Sequence, residues 1–154
     1  MRFALMLGAA LLTGCFLNVE NKDSEHRARV EHEPMASDPE HKLPFSDVVR
    51  AGGLLFQSGK VGLEPGTLKL VPGGIQAETR AALEAIQESF ARHGVGMDRV
   101  VKCTVFLADM KEWAAMNEVY VQFFPGDKKP ARSALGASGL ALGARVEIEC
   151  IAAL

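Results

Sequence analysis

Apolar positions along the chain follow two rhythms, and each change of rhythm marks the end of an element. Ile75, Thr79, Leu83, Ile86 and Phe90 recur at steps of three and four. That stripe predicts a helix from Ile75 to His93 with one face on a sheet, closed by Gly94 in a left-handed C-cap. Trp113, Met116, Tyr120 and Phe123/Phe124 line a second helical face, opened by a capping-box pair, Asp109 and Glu112, and ended by Pro125-Gly126. Aromatic residues at this spacing are read as core. Between the helices, Val100 to Ala108 is β-branched and apolar, long enough for a central strand.

The remaining segments alternate with the shorter period of a strand. Phe45 to Arg50 and Leu54 to Ser58 flank Gly52-Gly53 and predict a hairpin. Thr67 to Val71, set between Pro65-Gly66 and Pro72-Gly73-Gly74, reads as a short third strand. Arg132 to Gly136 and Arg145 to Ala152 close the chain. In the last of these Val146, Ile148 and Cys150 point one way, and Arg145, Glu147, Glu149 and Ile151 the other. The order β-β-β-α-β-α-β-β predicts an α+β domain, a mixed sheet with two helices packed on one face. The second face then lacks an internal cover, which a partner subunit would supply.

The first 42 residues follow neither rhythm. Arg2 precedes a short apolar run, Phe3 to Leu12, that ends in Leu12-Thr13-Gly14-Cys15. Such a run is about half of what crosses a bilayer and has the form of a secretory signal. Leu-Thr-Gly-Cys resembles a bacterial lipobox, which implies residues 1–14 as a lipoprotein signal peptide, lipid attachment at Cys15, and a domain held at the cell envelope (outer membrane or periplasm) by that anchor alone. Residues 15–42 are dense in charge and poor in large apolar side chains, the composition of a flexible tether, with the folded domain at 43–154. His26, His32 and His41 fall in the tether at a spacing that fits no helix face, so they read as solvated residues. A start at Met35 is the alternative, and would give a cytoplasmic protein.

Composition narrows the partners. Seventeen Lys and Arg against nineteen Asp and Glu give a net charge of −2, without the basic footprint that nucleic acid requires. A single Tyr and a single Trp give ribonuclease activity little support. Three cysteines are too few for a disulfide scaffold, and Cys103 and Cys150, inside apolar runs, read as small buried hydrophobes. No spacing of Cys and His suits a metal, and no motif implies a cofactor.

Two strand-borne residues suggest chemistry. Arg132 follows Pro130-Ala131 at the start of a strand, where a planar guanidinium can clamp a small carboxylate through two parallel hydrogen bonds. Glu147, facing the same cavity, could orient or deprotonate a water. An Arg132–Glu147 salt bridge without substrate explains the same two residues, and spacing leaves both readings open.

A resemblance bears on the choice. Pro130-Ala131-Arg132-Ser133-Ala134-Leu135, running on to Val146-Glu147-Ile148, is similar to the signature of the RidA family. Leu54 to Gly59, Val100 to Leu107 and Asn117-Glu118-Val119-Tyr120 match further family segments in the same order. The resemblance implies a chorismate-mutase-like α+β protomer and a homotrimer with ligand clefts between subunits. It also implies hydrolysis of 2-enamine and 2-imino acids, such as 2-aminoacrylate and 2-iminopropanoate, to 2-keto acids and ammonia. By resemblance Arg132 holds the substrate carboxylate and Glu147 positions the attacking water, while Phe45, Ser58, Gly59, Asn117 and Ala134 line the cleft. Phe45 stands where many members have tyrosine, Lys60 replaces the usual glutamine, and Ala134 stands where some have cysteine. A trimeric module that binds small carboxylates without turnover is the competing reading, favoured by export away from the cytosol, where such imines arise.

Overall fold

A computed structural model describes residues 29–34 and 43–154. The leader with Cys15, His26, Met35 and His41 lies outside the described residues. Six strands form one sheet in the order β1-β2-β3-β6-β4-β5. They are β1 (Val30–Glu33), β2 (Val48–Ala51), β3 (Leu54–Val61), β4 (Val100–Leu107), β5 (Ala131–Gly136) and β6 (Val146–Ala153). Helices α1 (Gly74–Arg92) and α2 (Trp113–Phe123) pack on one face. All neighbouring strands are antiparallel except β4 and β5, which α2 joins as a parallel crossover. The α+β arrangement is the one the periodicity predicts.

The hairpin between β2 and β3 turns through Gly52 and Gly53, whose φ values of 55° and 80° match the tight turn that favours glycine at both central positions. In α1 the stripe Ile75, Thr79, Leu83, Ile86 and Phe90 is buried, and it meets Leu55, Val105, Ile148 and Cys150 of the sheet in one core. Thr79 is tolerated there because its hydroxyl donates to the Ile75 carbonyl one turn back (2.6 Å). Met116, Tyr120 and Phe124 of α2 join the same core.

Four expectations are corrected. Val30–Glu33 is a strand inside the stretch whose charge predicts a tether. An edge strand pairs on one side only, so charged side chains stay at the rim, and Arg50 reaches Glu31 (3.7 Å). Thr67 to Val71 makes a single bridge, Leu63 with Leu70, because turns at both ends leave too few residues for a ladder. Asp109 accepts from the Lys111 amide (2.9 Å), but the Glu112 side chain turns to Arg145, so the cap is one-sided and opens a 3₁₀ turn, Met110–Glu112, ahead of α2. Cys103 and Cys150 are buried, as apolar runs require, but they form a disulfide. They are direct partners across β4 and β6, a juxtaposition that 47 residues of separation conceals.

Candidate active site

Sheet register fixes where each candidate residue points. Arg132 pairs with Cys103 on β4, so its side chain leaves the sheet on the helix-covered face. There it meets α2. Asn117 Oδ1 accepts from Arg132 Nη1 (2.6 Å), and the guanidinium lies 4.6 Å from the Tyr120 ring centre and 5.9 Å from that of Trp113. Trp113, Asn117 and Tyr120 sit at steps of four and three, so one helical face supplies all three contacts. Aromatic faces attract the cation, and the amide oxygen fixes its plane.

This guanidinium opens on a cleft of about 330 Å³ between α2 and β5, lined also by Val121, Phe124, Lys129 and Pro130. Among the described residues no carboxylate lines it and none pairs with Arg132. The Tyr120 hydroxyl is buried without a hydrogen-bond partner. Burial pushes it up to about 12, although the Arg132 charge beside it works in the opposite direction. At neutral pH it is therefore a proton donor rather than a base.

Glu147 belongs to the other side. It pairs with Phe106 on β4 and Val61 on β3, on the uncovered face. Its carboxylate lies over Gly59, where any Cβ would collide with it. A β-bulge makes this approach possible: Gln57 pairs with Cys150 and Lys60 with Ile148, so β3 carries one more residue than β6 between them. Ser58 and Gly59 occupy the bulge, and the Ser58 hydroxyl donates to the Ser46 carbonyl (2.6 Å). The extra residue turns both Gln57 and Lys60 towards α1, where they meet buried Asp47. Arg92 (3.1 Å) and Ser89 (3.4 Å) of α1 bind its second carboxylate oxygen. Lys60, the departure from the family pattern, is thereby paired away from Glu147.

The sequence-predicted residues thus fall into two groups. Asn117, Arg132 and Ala134 share the helix-covered side, Ala134 packing against the core. Ser58, Gly59 and Glu147 gather around the bulge, and Phe45 is half-exposed in the bend before β2. The expectation that Arg132 and Glu147 face one cavity is corrected within a single protomer, and so is a salt bridge between them, because their strand positions have opposite parity. Sequence reasoning missed Trp113, Tyr120, Lys129 and Asp47. Their spacing reads as core, which holds for Tyr120 while Trp113 is exposed, and only the step of three from Asn117 to Tyr120 signals that they share a face with the site. Among the described residues no cluster of His, Cys, Asp and Glu could hold a metal ion.

The family model described as Endoribonuclease L-PSP matches residues 35–154. The 2-iminobutanoate/2-iminopropanoate deaminase of Mus musculus is 42% identical over 109 residues, which cover 71% of this chain and 80% of the mouse protein. Two solved structures are similar. RidA from the Antarctic bacterium Psychrobacter sp. has a TM-score of 0.72 at 30% identity, covering 80% of this chain and 99% of that one. E. coli TdcF with bound serine has a TM-score of 0.72 at 29% identity, with the same two coverages.

Proposed function

Because the chain belongs to the endoribonuclease L-PSP family, the RidA family that its motifs resemble, we propose that it is a deaminase of reactive 2-imino acids of the 2-aminoacrylate and 2-iminopropanoate type. The observation that carries the reading is the Arg132 guanidinium, oriented by Asn117 and two aromatic rings on a cleft that no carboxylate of the described residues lines. A cation held in place without an anion is a prepared carboxylate clamp. The names of the mouse deaminase and of the serine-bound E. coli protein support the same ligand class.

In the reaction, Arg132 holds the substrate carboxylate while water attacks C2. The water oxygen forms the new C–O bond as the C=N π pair moves to nitrogen, which takes up a proton. Collapse to C=O breaks the C–N bond as the hydroxyl proton passes to the departing nitrogen, releasing ammonia and a 2-keto acid. Glu147 orients the water and accepts its proton. The imine is already electrophilic, so positioning supplies much of the acceleration.

For Glu147 to reach a substrate held on Arg132, the two groups must come from different protomers. A homotrimer with clefts between subunits accounts for this, and the uncovered sheet face, with Phe56, Phe106 and Leu135, offers it an apolar surface. A second reading, a carboxylate-binding module without turnover, is favoured by the Arg132 cleft itself, in which Tyr120 stays protonated and the described residues supply no base. We propose that a lipid on Cys15 holds the protein at the cell envelope. The Cys103–Cys150 bond supports an oxidising compartment, and fatty-acid labelling with and without Cys15→Ala tests the anchor.

The deaminase is tested with freshly generated 2-iminopropanoate, comparing ammonia release by wild type and Arg132→Ala. The expected result is acceleration by wild type that the variant loses while staying folded. Equal rates, both at the uncatalysed level, would leave the binding module in its place.

A further inference from the structure

Lys129 lines the same cleft as Arg132. Its ammonium donates to the Phe124 carbonyl just past the end of α2 (2.9 Å), which holds the charge in place and leaves its other hydrogens available. Elsewhere Lys60, Arg92 and Arg145 each sit against a carboxylate, while Arg80 and Lys102 are held singly by the neutral oxygens of Gln122 and Ser133. At this cleft two cations share one mouth, and among the described residues no acid lines it. Two like charges beside apolar walls of Val121, Phe124 and Pro130 repel each other more strongly than they would in water.

We propose that the cleft takes 2-imino acids with a second carboxylate, the four- and five-carbon 2-imino dicarboxylates, and that Lys129 is the residue that selects them. This deepens the deaminase reading and rests on it for the reaction, which remains hydrolysis of C=N by one water with release of ammonia. Arg132 would take the carboxylate next to the imine and Lys129 the distal one. A monocarboxylate would satisfy Arg132 and leave Lys129 without an anion.

The lining agrees with this assignment, since Arg132 and Lys129 share it with apolar side chains.

The test uses the full chain and two imines made in situ by amino-acid oxidases, one from glutamate or aspartate and one from alanine. Wild type is expected to favour the dicarboxylate in kcat/KM. Lys129→Gln is expected to lower that preference about tenfold, mainly through KM, the scale of one hydrogen bond to a charged group. Lys129→Arg is expected to keep the preference. No preference in wild type, or a preference unaltered in Lys129→Gln, overturns the proposal.

Calorimetry with the inert keto acids separates this proposal from the reading beneath it. If neither imine is turned over, yet 2-oxoglutarate binds more tightly than pyruvate and Lys129→Gln removes the difference, the dianion site stands and the deaminase falls. Equal binding of the two acids, with no turnover, removes both.

Discussion

Arg132 and Glu147 stand on opposite faces of one sheet. Arg132 shares a register position with Cys103, and Glu147 shares one with Phe106, three residues further along the same strand. An odd offset along β4 means opposite sides. The two residues that the proposed chemistry needs together are therefore separated by the sheet itself, and assembly is what can reunite them.

Complementation follows directly. Arg132→Ala and Glu147→Gln should each be inactive alone, with activity down by about a hundredfold or more. When the two variants are unfolded together and refolded as mixed oligomers, some clefts receive intact Arg132 and intact Glu147, and a fraction of the activity returns. A mixture as inactive as its components would show that the site is not shared.

Gly59→Ala separates catalysis from folding. The new methyl would meet the Glu147 carboxylate, the free end of a side chain that can swing aside. Stability measured in urea should change by less than about 1 kcal/mol. Turnover should drop by about a hundredfold, because the water-orienting group moves by about an ångström. Unchanged kcat would remove Glu147 from its assigned role.

Tyr120 can be followed alone, since the chain has one tyrosine. Phenolate absorbance should titrate near 12 rather than at the ordinary value of 10. Arg132→Ala should move the midpoint higher, because it removes the charge that favours phenolate. The sign for stability follows from linkage. A raised pKa stabilises the folded chain fully below pH 10, and that contribution is lost as pH rises through about 12. A midpoint at 10 would mean that the ring is not buried beneath Arg132.

The disulfide makes a redox prediction. Titration of the denatured protein without reductant should find Cys103 and Cys150 closed to thiol reagents. Cys103→Ala/Cys150→Ala should be less stable by about 4 kcal/mol, the chain-entropy scale for a loop of 47 residues. Free thiols at both positions, with stability indifferent to reductant, would contradict the bond.

Much of the fold was legible because burial follows period. The α1 stripe and the alternation of β6 translate almost residue for residue into the core. Legibility stopped where a property depends on pairing between distant segments. No spacing reveals that Cys103 faces Cys150, that Arg132 and Glu147 have opposite parity, or that a bulge turns Lys60 to Asp47. The charged β1 was hidden for a related reason, since a strand hydrogen-bonded along one edge needs little apolar content of its own. Arg132 itself was found by motif. Its aromatic cradle was concealed because the helical spacing of Trp113 and Tyr120 reads as core, which holds for Tyr120 but not for exposed Trp113.

Asp47 joins the entry to β2, the bulge of β3 and the last turn of α1 through one buried carboxylate. Opening any one of these segments exposes or orphans charges belonging to the others, so they should fluctuate as one cooperative unit. In native-state hydrogen exchange, the Ser58 amide, bonded to the Asp47 carbonyl, would then share its opening free energy with amides near Ser89. The backbone that cradles Glu147 would accordingly owe its rigidity to a helix on the far side of the sheet.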